Sequence, residues 1–84
     1  MFNKETLTEM FKEKEFGYGK WHLYFYSTND FAIEEEEVDI EILDGVIKIT
    51  VWETDDKNHE RTDITNFDYI PFESITQISF GKDF

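Results

Sequence analysis

The sequence predicts an α+β fold: one N-terminal helix packed on a strongly bent, mainly antiparallel sheet of about five strands. Three observations carry this. Apolar residues near the start recur with the period of a helix. Those from residue 20 onward recur mostly with the period of a strand, and the strand phase slips once in mid-chain, which a bend must absorb. At 84 residues the chain has room for a single domain, residues 1–84, with no internal repeat or low-complexity linker to divide it.

The helix is expected over about residues 4–15. Leu7, Met10, Phe11 and Lys14 fall at i, i+3, i+4 and i+7, an apolar stripe completed by the aliphatic stem of the lysine. Thr6 with Glu9 has capping-box spacing, Asn3 could cap one turn earlier, and Gly17 and Gly19 supply a left-handed stop. So short a helix needs a sheet to pack against. Residues 20–27 (KWHLYFYS) read as an aromatic strand. Trp21, Leu23 and Phe25 alternate with His22, Tyr24 and Tyr26, so both faces carry rings and the strand belongs in the middle of a sheet. Ser27, Thr28, Asn29 and Asp30 then supply turn chemistry.

A strand over residues 31–43 is expected to bend at 34–37. Phe31 and Ile33 are odd-numbered while Val38, Ile40 and Ile42 are even-numbered, so an unbroken strand would turn one set to the wrong face. A bulge or bend among the four adjacent glutamates resolves the conflict. Asp44-Gly45 reads as a two-residue type I′ turn into a strand over residues 46–53. That loop pairs Leu43 with Val46, Ile42 with Ile47, Ile40 with Ile49 and Val38 with Val51. The other face pairs Glu41 with Lys48, Asp39 with Thr50 and Glu37 with Trp52; a slip of one residue would set aliphatics against carboxylates. Beyond a charged loop, residues 61–70 form a strand with an irregularity near Asn66, because Ile64, Phe67, Tyr69 and Ile70 do not alternate cleanly. Pro71 marks an edge or a turn. Residues 75–80 are the last strand, with a helix aligning Phe72, Ile75 and Ile78 as the alternative.

Composition narrows the function classes. Aromatic residues make up 18% of the chain, nine of them Phe, which is too many for a disordered acidic segment. No apolar run approaches the roughly 18 residues of a membrane span, and the start lacks a basic-then-apolar leader, so a cytoplasmic protein is expected. Without cysteine, disulfide scaffolds, thiolate metal sites and cysteine nucleophiles are excluded. The formal charge of -12 lies wholly in residues 30–73, where fifteen acids face only Lys48, Lys57 and Arg61; residues 1–29 and 74–84 each sum to zero. A field of that sign repels nucleic acid and anionic lipid and attracts basic protein surfaces, so direct binding to nucleic acid or membrane is not expected. The plainer alternative is that the charge only maintains solubility.

Catalytic and metal-binding patterns are weak. Asp55, Asp56, Asn58 and Glu60 share a loop, but counting from Asp56 puts Arg61 and Phe67 where a calcium hand needs Gly and an acid. His22 and His59 have no second imidazole at ligand spacing. Ser27, Ser74 and Ser79 lack the glycine-flanked turn of a seryl nucleophile, and no glycine-rich phosphate loop exists. Neither catalysis, nor a metal, nor a cofactor is expected.

What remains is the acidic face. Glu37, Asp39 and Glu41 recur along one strand face about every 6.8 Å, twice the rise per residue. Glu53, Asp55 and Asp56 follow just past the partner strand, and Trp52, with Leu43 and Val46, offers apolar contact. The candidate partner-binding residues are therefore Glu35, Glu37, Asp39, Glu41, Trp52, Glu53, Asp55 and Asp56. The expected function is a small non-catalytic protein-binding module for a basic surface, such as that of a nucleic-acid-binding protein that it would inhibit by mimicry. The alternative is a homo-oligomeric structural or scaffold domain in which edge strands pair between copies and the acids stay solvated.

The order of one helix and five bent strands resembles the Sm-like barrel. The phrase Ile70-Pro71-Phe72-Glu73-Ser74-Ile75-Thr76 is similar to a late strand of small bacterial Sm-like and PH-like domains. The resemblance implies a partial barrel. Sm-like RNA binding is not carried over, because the charge has the wrong sign and no matching RNA-site residues are present. In size and charge the chain also resembles small acidic phage inhibitors that mimic DNA, without a shared motif.

Overall fold

Asn3 caps the helix, its side chain accepting the backbone N–H of Thr6 at 2.8 Å. A computed structural model describes residues 1–28 and 37–82, and the backbone alone of residues 32–35. The helix, α1, spans Lys4–Phe11 and buries Leu7 and Phe11. It stops short of the expected residue 15, and the glycines are not what ends it: Lys12 is the C-cap and Glu13 takes a left-handed φ of 62°. On a continued helix Phe16, five residues past Phe11, would sit about 140° away around the axis. The break instead turns Phe16 inward, where its ring centroid lies 5.9 Å from those of both Phe11 and Phe80.

Among the described residues six strands follow: β1 (Trp21–Ser27), β2 (Ala32–Glu35), β3 (Val38–Ile42), β4 (Val46–Thr54), β5 (Arg61–Pro71) and β6 (Ile75–Lys82). They form two antiparallel three-stranded sheets in the orders β2-β1-β6 and β3-β4-β5, which makes the fold α+β as expected. The aromatic strand β1 is central in its sheet. The single bent strand expected over residues 31–43 is two strands in different sheets, β2 pairing with β1 and β3 with β4. Phe31 and Glu36, which fall in that expectation, lie outside the described residues, as do Asn29 and Asp30 of the expected turn. The backbone N–H of Trp52 reaches the carbonyl of Glu37 at 3.0 Å and carries the second sheet's ladder back toward the crossing point. Among the described residues the sheets do not close into a barrel, since β5 and β6 each have one paired neighbour.

The β3–β4 hairpin has the expected register, from Val38 opposite Val51 to Ile42 opposite Ile47, with Leu43 N–H bonded to Val46 O at 2.9 Å. Its turn differs in type. Gly45 has φ 79°, but Asp44 does not take the positive φ that a type I′ turn requires, so the pattern is that of type II. Tertiary contacts hold it: Asp44 pairs with Lys4 at 3.0 Å, and Gly45 O accepts the N–H of Phe72 at 3.0 Å. Phe72–Ser74 is a 3-10 turn joining β5 to β6, so the last segment is strand and not helix. Leu23 and Phe25 of the first sheet, Val38, Ile47 and Ile49 of the second, and Leu7 of the helix are all but fully buried between them.

Candidate interaction surface

Register places three stripes side by side on the outer face of the β3-β4-β5 sheet. The first is acidic, with Asp39 and Glu41 following Glu37; the second is Trp52, Thr50 and Lys48 of β4. The third is Ile64, Phe67 and Tyr69 of β5, which lie opposite those three residues in turn. Ile64 and Phe67 are three apart and would face opposite ways on a regular strand. A register shift between Val51 and Trp52 leaves Thr65 unpaired, with its hydroxyl 3.2 Å from Val51 O, and this bulge brings both side chains to one face. It is the irregularity expected near Asn66. Ile64, Phe67 and Tyr69 are 44%, 49% and 57% exposed.

At one end of the face sits Arg61, the first residue of β5. Its Nε donates to Glu37 Oε2 and its Nη1 to Asp39 Oδ1, each at 2.8 Å. Nη2 reaches the carbonyls of Val38 (3.3 Å) and Phe16 (3.4 Å). The guanidinium carbon lies 5.4 Å from the Trp52 ring centroid, and Trp52 Nε1 donates to Asp39 Oδ2 at 3.0 Å. Glu37 Oε1 in turn accepts the backbone N–H of Tyr18 at 2.9 Å, and the Tyr18 ring stacks on His59 at 3.8 Å. Burial would raise the Asp39 carboxyl. Hydrogen bonds from Arg61 and Trp52 and the charges of Arg61 and Lys20 outweigh it and hold the group below its ordinary value of 3.8. For Arg61 burial acts to lower the pKa, and the bonds and charges of Asp39 and Glu37 raise it, so it stays cationic.

The expected acidic row is therefore divided. The Glu37 side chain is 11% exposed and fully engaged, and Asp39 is exposed but bonded to Arg61 and Trp52. Trp52 is half-buried under the same arginine. Glu41, Glu53, Asp55 and Asp56 are exposed and have no ion-pair partner among the described residues, Asp55 accepting only the N–H of Lys57 at 2.7 Å through its side chain. Glu35 lies on β2, but its side chain is outside the described residues. Two features escaped sequence reasoning. Arg61 is 24 residues from Glu37, and no local pattern pairs them. The stripe on β5 was visible only as broken alternation, since the position of the bulge fixes its phase.

Beside the clamp lies a cleft of about 340 Å³ whose cations are already bonded: Lys20 to Glu15 at 3.5 Å, Lys14 Nζ to Met10 O at 2.7 Å, and Arg61 as above. Among the described residues no three carboxylate or imidazole groups converge as metal ligands would, and no helix is long and apolar enough to cross a membrane. Comparison with known proteins finds no matching family model, no similar curated protein and no similar solved structure.

Proposed function

We propose that this chain is a small non-catalytic protein-binding module that presents an acidic surface to a basic partner. In the finer form of the reading, that partner surface is one built for nucleic acid and is inhibited by occupation. The observation that carries it is the set of exposed carboxylates without an ion-pair partner among the described residues, Glu41, Glu53 and Asp63 on the sheet that also exposes Ile64, Phe67 and Tyr69, and Asp56 and Glu60 in the loop between β4 and β5. Unpaired carboxylates steer a cationic partner from a distance, and apolar side chains next to them supply short-range affinity. A cytoplasmic setting belongs to the same reading and suits the cysteine-free composition.

The test is capture of partners from cell extract at about 50 and about 500 mM salt, concentrations that bracket a large change in screening length. The control reverses the charge of Glu41, Glu53 and Asp56, whose side chains make no ion pair among the described residues, and leaves Glu37 and Asp39 intact. Capture that falls steeply with salt, is lost in the control and is displaced by double-stranded DNA supports the reading; capture indifferent to salt and to the substitutions refutes it. The second reading, a homo-oligomeric scaffold, is favoured by the one-sided pairing of β5. Sedimentation at several concentrations decides it, a stable oligomer being its requirement.

A further inference from the structure

β5 is eleven residues long, about 36 Å at the rise of a strand, against a longest molecular dimension of 40 Å. Among the described residues it pairs only with β4, so one whole side of its backbone presents unpaired N–H and C=O groups. Proteins usually protect such an edge with lysine, proline or a covering segment. Here residues 62–70 contain no proline and no basic residue, and the only arginine of the strand is folded back onto Glu37 and Asp39.

The two faces of this edge differ in chemistry. The outer face exposes Ile64, Phe67 and Tyr69, and Lys48 Nζ already lies 4.9 Å from the Phe67 ring centroid, so a further cation there would meet a like charge. The other face carries Asn66 and Asp68, opposite Val51 and Ile49, with Asn66 Nδ2 bonded to Asp68 Oδ2 at 3.0 Å. We infer that the free edge of β5 takes up, as an added strand, an extended segment of a partner protein in which apolar and basic residues alternate. The apolar residues lie beside Ile64, Phe67 and Tyr69, and the basic ones beside Asp68 and Asn66. Backbone bonds supply affinity, and the alternate side chains set the register. A second copy fits less well, since each carries -12 and pairing β5 with β5 would bring the two acidic faces together. The inference rests on the protein-binding reading above and names its mode.

The probe is a synthetic peptide of about ten residues alternating valine and lysine, the length of a long strand. It is compared with a block peptide of the same composition and with the alternating peptide N-methylated at every second amide. NMR amide shifts of the intact protein on titration should concentrate in β5. Affinity should fall about tenfold or more for the block and N-methylated peptides, and about tenfold for Asp68→Lys against the alternating peptide. Tyr69→Thr, at a side chain that is 57% exposed, should weaken binding of the alternating peptide and not of the block peptide. Equal binding of all three peptides, with shifts around Glu41, Glu53 and Asp56, overturns strand addition and leaves the acidic-surface reading standing. Failure of every peptide to bind at about 50 mM salt removes both. Concentration-dependent β5 shifts without peptide assign the edge to a second copy and also overturn the inference.

Discussion

Asp39 carries two kinds of demand at once. Its carboxylate accepts from Arg61 and from the Trp52 indole while remaining 58% exposed, so water competes for both bonds. Because these bonds hold its folded pKa below that of the unfolded chain, the native state binds fewer protons there. The stabilisation is complete above the unfolded value and disappears as pH falls through the lower, folded value. Overall stability against pH mixes this with relief of repulsion among twenty acids, so the difference between variants is the clean measure. Asp39→Asn should cost about 1 kcal/mol at neutral pH, the lower end for a bond to an exposed charge. Urea midpoints across the acidic range should show the gap between wild type and variant closing as Asp39 protonates; a gap that persists at low pH would mean the ionised form does not matter.

Elements show where local sequence was sufficient and where it was not. The β3–β4 hairpin was legible because the two-residue turn fixes a register that sets aliphatics against aliphatics and Glu41 against Lys48, and a slip of one residue would set aliphatics against carboxylates. The helix end and the turn type were not legible, because distant contacts decide them: burial of Phe16 against Phe80, and the bond from Phe72 to Gly45. On the candidate surface the acids could be read directly, whereas the clamp that engages Glu37 and Asp39 needed a long-range pairing. The helix end also stores a local cost, since Glu13 holds a left-handed φ that glycine adopts freely. Exposed and free of any ion pair among the described residues, Glu13 can be replaced without loss of a partner. Glu13→Gly should raise stability by about 0.5–1 kcal/mol, after subtraction of the extra freedom glycine gives the unfolded chain. A higher urea midpoint at unchanged slope is the expected result, and destabilisation would show that α1 does not end at Phe11.

For the whole molecule the difficulty is that two sheets must stay together under a formal charge of -12. Arg61 acts across the division: from β5 it holds Glu37 at the crossing between sheets and reaches Phe16 O on the connection from the helix, while Glu37 holds Tyr18 on that same connection. Gly17 permits this approach, since a Cβ there would lie 2.8 Å from Glu37 Cδ. Arg61→Met keeps most of the side chain's bulk but leaves an 11%-exposed carboxylate with one backbone donor, beside a second carboxylate it now repels. Loss of one partner of a largely buried pair predicts destabilisation of about 2–3 kcal/mol at neutral pH, discounted from the fully buried case because Arg61 is 30% exposed. Glu37→Gln in the same background removes the stranded charge yet can still accept from Tyr18, so the double variant should recover about 1 kcal/mol or more. Urea denaturation of the four proteins gives the coupling directly: with strict additivity Arg61 would be a surface arginine, and with coupling it is the residue that ties Glu37 to the rest of the fold.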